Sequence, residues 1–352
     1  MFLQAAGSDY STAHDLVSAV ADTIRAAHFD QPATEIGDGL APDRPSAYAE
    51  QIASSLQRAG YQGADNLLVT LAVLTTTASS ARDVDVDWIA AAAGRVGDTD
   101  ILLDAAGVIF AFNTINRIAD ARRVQLEYQF LRGLKPIRGW IERRLASLAG
   151  LAYDLSFKHQ PRYSPSKLLY RLGILFERLG SPAMPDLFNW LSRSPVVLEG
   201  VFEMVESNAN GARVRFDLLK EAMAIGAASR AMPNSGLMTA VEQWLPAGVQ
   251  GDAKKLRAWA APPGGSGDPT VVSACRRYAW QVANAAYTIT DEQILKLYAL
   301  GLSDAELLDL TLATAVFSAL AIIEPIGAAV EAASIAAGKA PTVAAMPQVQ
   351  LA

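Results

Sequence analysis

The sequence predicts an all-α protein, and three observations carry that prediction. Apolar residues recur at spacings of three and four almost throughout, no stretch alternates with period two for long, and β-branched runs are short. Helix start and stop residues punctuate the apolar runs. The 352 residues, 51% hydrophobic and 19% charged, hold enough apolar side chain for a large core and enough length for two domains.

In chain order, helices are expected over 12–27, 46–59, 64–79, 85–96, 99–131, 136–154 and 165–179. Further helices are expected over 185–193, 211–230, 235–244, 269–286, 290–300 and 303–332. Pro45 ends a loop and Ser46 stands ready to cap the second of these. Asp98 or Thr99 opens the long middle helix, and Ser303 with Glu306 forms a capping box for the last. Gly60, Gly133 and Gly180 occupy C-cap positions. The Pro-rich stretches 30–45 and 158–166 and the Gly/Pro loop 260–269 read as linkers. They divide the chain into a helical domain over 1–160, a second over 165–335 and a loose tail over 338–352. The run 310–323, bounded by Asp309 and by Glu324-Pro325, has about 14 uncharged residues against the roughly 18–20 that a bilayer requires, and reads as a core helix.

An internal repeat is visible at an offset of 205, setting 86–121 above 291–326. Ile89 then meets Ile294, Leu102 and Leu103 meet Leu307 and Leu308, Asp104 meets Asp309, and Phe112 meets Phe317. Both copies run as short helix, tight turn, long apolar helix. In "ITDEQILKLYALGLSDAELLDLTLATAVFSAL", 289–320, the short helix, the Gly-Leu-Ser-Asp turn and the Ala-rich helix resemble the C-terminal helices of the alkylhydroperoxidase AhpD-like family, in the carboxymuconolactone decarboxylase superfamily. The phrase "AFNTINRIADA", 111–121, resembles the way longer members continue that helix. The resemblance implies an AhpD-like helical bundle over 175–330 and a decayed second copy over 46–130, two related halves in tandem.

Members of that family reduce hydroperoxides with a Cys-x-x-Cys pair assisted by Glu and His. A thiolate must attack oxygen and a second thiol must resolve the sulfenic acid. Glu221 matches the family glutamate, but the following window, 218–244, holds neither Cys nor His. Met232 and Ser235 stand at cysteine-like spacing, and Thr239 stands where the His belongs. The peroxidase mechanism is therefore not carried over. Glu221, Ser235 and Thr239 become the candidate catalytic residues of a non-redox pocket, with Met232 as ligand-binding wall.

Four more ligand-binding candidates lie on one stripe of the middle helix, Asn113, Asn116, Arg117 and Asp120 at i, i+3, i+4 and i+7. A polar stripe on so apolar a helix must meet water or satisfy itself inside. The architectural reading is an Arg117–Asp120 pair with the Asn side chains on nearby backbone; the functional reading has Arg117 holding an anionic or carbonyl group. Arg138 is the ligand-binding candidate from a basic cluster over 122–148, which otherwise reads as a solvated helix–turn–helix or a surface for an acidic partner.

Other classes are excluded by composition. A net charge of −6 lacks the basic face that nucleic acid needs. The single cysteine, Cys275, excludes an internal disulfide and fits the cytoplasm; beside Arg276 and Arg277 but without a resolving partner, it is expected to be inert and distant from Glu221. The N-terminal residues lack the pattern of a signal peptide. His14, His28 and His159 form no zinc motif, "DVDVD" lacks the rest of a calcium loop, and no phosphate loop or nucleophile elbow is present, so no metal or cofactor is expected. Three functions follow. The first is an AhpD-like protein without its cysteine pair, binding a small organic molecule and acting on it without redox chemistry. The second is a scaffold pairing with another helical chain, or with its own copy as a homo-oligomer. The third is peroxidase-like activity through Cys275 and an external thiol.

Overall fold

The computed structural model describes residues 63–77, 86–96, 100–122, 161–249 and 270–336 with a few gaps, and isolated positions elsewhere. Among the described residues the chain is all-α, with no strand. The helices are α1 (Gly63–Thr77), α2 (Val86–Val96), α3 (Asp100–Ala121), α4 (Pro165–Arg178), α5 (Leu187–Leu191), α6 (Pro195–Gly211), α7 (Phe216–Arg230), α8 (Gly236–Glu242), α9 (Val271–Ala285), α10 (Asp291–Ala299) and α11 (Asp304–Ala336). The helices expected over 12–27 and 136–154, most of 46–59, the tail 338–352, and the candidates Met232 and Arg138 lie outside the described residues.

α11 is the axis of the molecule. It packs most extensively against α7 on one side and α3 on the other, with α2, α9 and α5 completing its surroundings. Two of its buried hydroxyls are satisfied within the helix: those of Thr311 and Thr314 donate to the carbonyls of Leu307 and Leu310 at 2.7 and 2.8 Å. α3 and α11 are both long and apolar enough to cross a membrane, but the most apolar window of α11 is 78% buried inside the protein and that of α3 50%. Such burial is what a core helix shows.

Local signals account for the helix ends. Ser303 and Glu306 exchange the expected bonds, the Ser303 amide donating to the Glu306 carboxylate at 2.8 Å and the Glu306 amide to Ser303 Oγ at 3.3 Å. Gly180 closes α4 at φ +81°, with the Ser181 amide donating to Phe176 O at 2.9 Å. α6 departs from expectation, because no helix was anticipated between 193 and 211. Ser194 precedes Pro195 at the first helical position, a start signal masked by the Val-rich run that follows. The expected 211–230 helix accordingly begins later, at Phe216.

A short helix is followed by a long one twice, as α2–α3 and α10–α11, and the two long helices pack on each other. The two aspartates aligned at the offset of 205 both accept from groups beside α6. Asp104 accepts from Ser194 Oγ at 2.7 Å, while Asp309 accepts from the Val214 amide at 3.1 Å, so together they hold the two ends of α6. Other matched positions differ, since Phe317 is fully buried and Phe112 only half-buried. Phe317 belongs to an aromatic cluster with Phe176, Phe188 and Trp244, at centroid distances of 5.5–6.5 Å.

Candidate functional site

On α3 the Asn113 side chain is buried and donates to Ile109 O at 3.0 Å, which fixes its amide and turns Oδ1 towards Arg117. Arg117 Nη1 donates to that Oδ1 at 2.8 Å and to Asn113 O at 3.1 Å. Its Nε donates to Ala283 O, on α9, at 3.3 Å. The expected Arg117–Asp120 pair is not formed. Helical side chains lean towards the N-terminus, so Arg117 reaches back one turn to Asn113.

The partners of Arg117 are all neutral, and no carboxylate lies within ion-pair distance among the described residues. Nη2 makes no hydrogen bond there, although a guanidinium has five N–H donors to place. Burial pulls the Arg117 pKa down to about 9; the positive charge of Arg230, at the end of α7, adds to this, and Asp120 opposes it. At neutral pH the group stays charged. The Asp120 carboxyl is in turn raised by burial, with Arg117 opposing. Asn116 completes the stripe, half-buried. The site is therefore a half-buried cation held on one edge by Asn113 and Ala283, with a second cation near and no anion in contact among the described residues.

The other candidates are not brought to one place. Glu221 lies in the first turns of α7, whereas Ser235 follows its far end; nine residues of helix between Glu221 and Arg230 are about 13 Å. Glu221 accepts a bidentate pair from Arg276 of α9, at 3.0 Å from Nε and 2.6 Å from Nη2, and Arg276 stacks over Trp259 at 4.9 Å. Ser235 caps α8, its Oγ accepting from the Met238 amide at 3.1 Å. Thr239 is exposed and donates to Ser235 O at 3.0 Å.

Against expectation, Cys275 is a neighbour of Glu221. The two share a cleft with Arg276, Leu218, Ile225 and Ala279, and it leaves no space for a water molecule. The neighbourhood quiets the thiol. Burial, with the negative charge of Glu221 added, pushes Cys275 up to about 11 from an ordinary value of 9.0. Two pH units leave roughly a hundredfold less thiolate. Iodoacetamide should accordingly alkylate Cys275 in the folded protein at least ~100-fold more slowly than in the urea-unfolded chain. Equal rates would show that the burial is wrong. Cys275→Ser should leave any peroxide turnover unchanged.

One buried ionisable group escaped the sequence reading. Glu324 on α11 is 2% exposed, and its only sequence signal was a charge directly before a proline in the most apolar helix. No group of three or more His, Cys, Asp or Glu suited to a metal occurs among the described residues. No protein-family model matches the chain, and no curated protein or solved structure matches it.

Proposed function

We propose that this protein binds a small organic acid through Arg117, in an AhpD-like helical frame that has lost the cysteine pair, and that it does so without redox chemistry. One observation carries the reading: a half-buried guanidinium whose partners among the described residues are all neutral and whose charged neighbours include a second arginine. A carboxylate on Nη2 would pair with that charge and use a donor that no described group takes. Asn113 and Ala283 O hold the fork in place beforehand, so little side-chain entropy is lost when the anion arrives. Glu221, committed to Arg276, and Ser235, committed to a helix cap, support binding rather than turnover.

Benzoate is a suitable probe. At a hundred times its Kd it should stabilise the wild type by about 2.7 kcal/mol, a rise of several degrees in Tm. Arg117→Met keeps the apolar stem and should abolish that rise; loss of the bonds to Asn113 and Ala283 should lower the unliganded Tm by no more than several degrees. Equal shifts in both proteins, or none in the wild type across a panel of small acids, would refute the reading.

A second reading rests on a different face of α3. Val108, Ala111 and Phe112 are half-buried and Ile115 is 54% exposed, an apolar stripe suited to a helical partner or a second copy. A light-scattering mass of one chain at high concentration, unchanged in Ile115→Lys, would count against it.

A further inference from the structure

Glu324 stands immediately before Pro325, inside a helix that is otherwise apolar at this level. Its Oε1 accepts the Leu237 amide at 2.9 Å, a bond that joins α11 to the first turn of α8, and the nearby Ser235 hydroxyl favours the charged carboxylate. Oε2 is buried and has no hydrogen-bond partner among the described residues. Gly236 allows the close approach, since a Cβ there would lie 3.2 Å from the Asp186 amide nitrogen and 3.7 Å from Glu324 Oε1.

The charges around this carboxyl are few. From the start of α5, Asp186 faces it with a like charge. From α8 come only the Ser235 hydroxyl and the Leu237 amide. Arg193, on the α5 side, is engaged with Ser334 at 2.7 Å, ten residues or about 15 Å further along α11. No described cation pairs with Glu324.

We infer that Glu324 is a proton-operated latch, seating α8 on α11 when protonated and loosening the first turn of α8 when ionised. The physical reason is the unpartnered oxygen. A neutral carboxyl can leave Oε2 dry at modest cost, whereas a carboxylate there demands water or a donor, and the nearest way to admit either is to lift the Ser235–Leu237 turn. Burial moves the group the same way, raising its pKa above the ordinary value of 4.5 despite the opposing Leu237 amide bond and the nearby Ser235 hydroxyl. A folded-state pKa above the unfolded one gives stability that is fully present below the unfolded value and lost as pH rises through the folded one. The latch therefore opens on going from acid towards neutral and alkaline pH. It is independent of Arg117, which lies on another helix.

Hydrogen exchange on the whole protein tests this. Corrected for intrinsic rates, protection of the α8 amides, Leu237 and Met238 above all, should fall at least ~10-fold as the pH is raised above the ordinary glutamate value of 4.5, a tenfold change per pH unit being the limit for one proton. Glu324→Gln keeps an acceptor for the Leu237 amide and cannot ionise, so its protection should be high and flat. Parallel profiles in the two proteins would overturn the latch. Should the variant not fold, infrared spectra of wild type with isotope-labelled glutamate decide: a protonated buried carboxyl band lost on raising the pH above the ordinary glutamate value of 4.5 supports the latch, and a band already lost at or below that value overturns it.

Discussion

Gly226→Leu should prevent this protein from folding, and Gly226→Ala should cost about 2–3 kcal/mol in urea unfolding. Gly226 is where α7 crosses α11. A Cβ there would lie 2.4 Å from the Thr314 carbonyl oxygen, 3.1 Å from the Ser318 amide nitrogen and 3.2 Å from the Phe317 Cβ. Two of those three atoms are backbone, so the contact cannot be relieved by a rotamer change; the helices themselves must part. Parting them disturbs the most extensive helix pair among the described residues, and the roughly 1 kcal/mol that alanine gains in helix propensity does not offset it. Gly200 supplies the control. It sits within α6, and a Cβ there meets nothing within 4 Å. Gly200→Ala should therefore stabilise by about 0.5–1 kcal/mol. If Gly226→Ala matched Gly200→Ala, the α7–α11 crossing would be wrong.

Phe317→Ala carries the second large effect, a loss of about 3–5 kcal/mol. Phe317 is 0% exposed, 5.7 Å from the Trp244 ring and 6.5 Å from Phe176. Two helices and a turn meet on it, α4 through Phe176, α11 through its own backbone, and the segment after α8 through Trp244. Truncation leaves a cavity that none of these elements can fill without moving. Trp244 reports the change directly, since a hydrated cavity beside it should shift its emission to the red. A urea midpoint within about 1 kcal/mol of wild type, with unchanged emission, would contradict this core.

The contrast between what the sequence reveals and what it hides follows the range of the interactions. Ends of helices are local chemistry, so Ser303–Glu306 and Gly180 could be placed from a few residues. α6 was missed because its Val-rich run weakens helix propensity, and its burial against α4 and α11 overrides that preference. The α3 stripe was legible as a polar face, but the choice of Asn113 over Asp120 as partner depends on the lean of helical side chains. Pairs such as Glu221–Arg276, fifty-five residues apart, are products of packing and leave no local trace. Glu324 was legible only as a boundary, because nothing nearby in sequence announces the α8 turn folded against it.

The claim on which the functional reading turns is that the Arg117 guanidinium awaits an anion. Nitrogen-15 NMR of labelled arginine measures this at the atom concerned, since a half-buried Nε–H hydrogen-bonded to Ala283 O exchanges more slowly than those of exposed arginines. The resonance missing from Arg117→Met identifies the residue. Titration of wild type with benzoate should move that signal saturably and leave the surface arginines unmoved. A signal that stays fixed while the small acids are titrated to saturating, tens-of-millimolar levels would mean that the charge is simply tolerated, and the proposed site would fall.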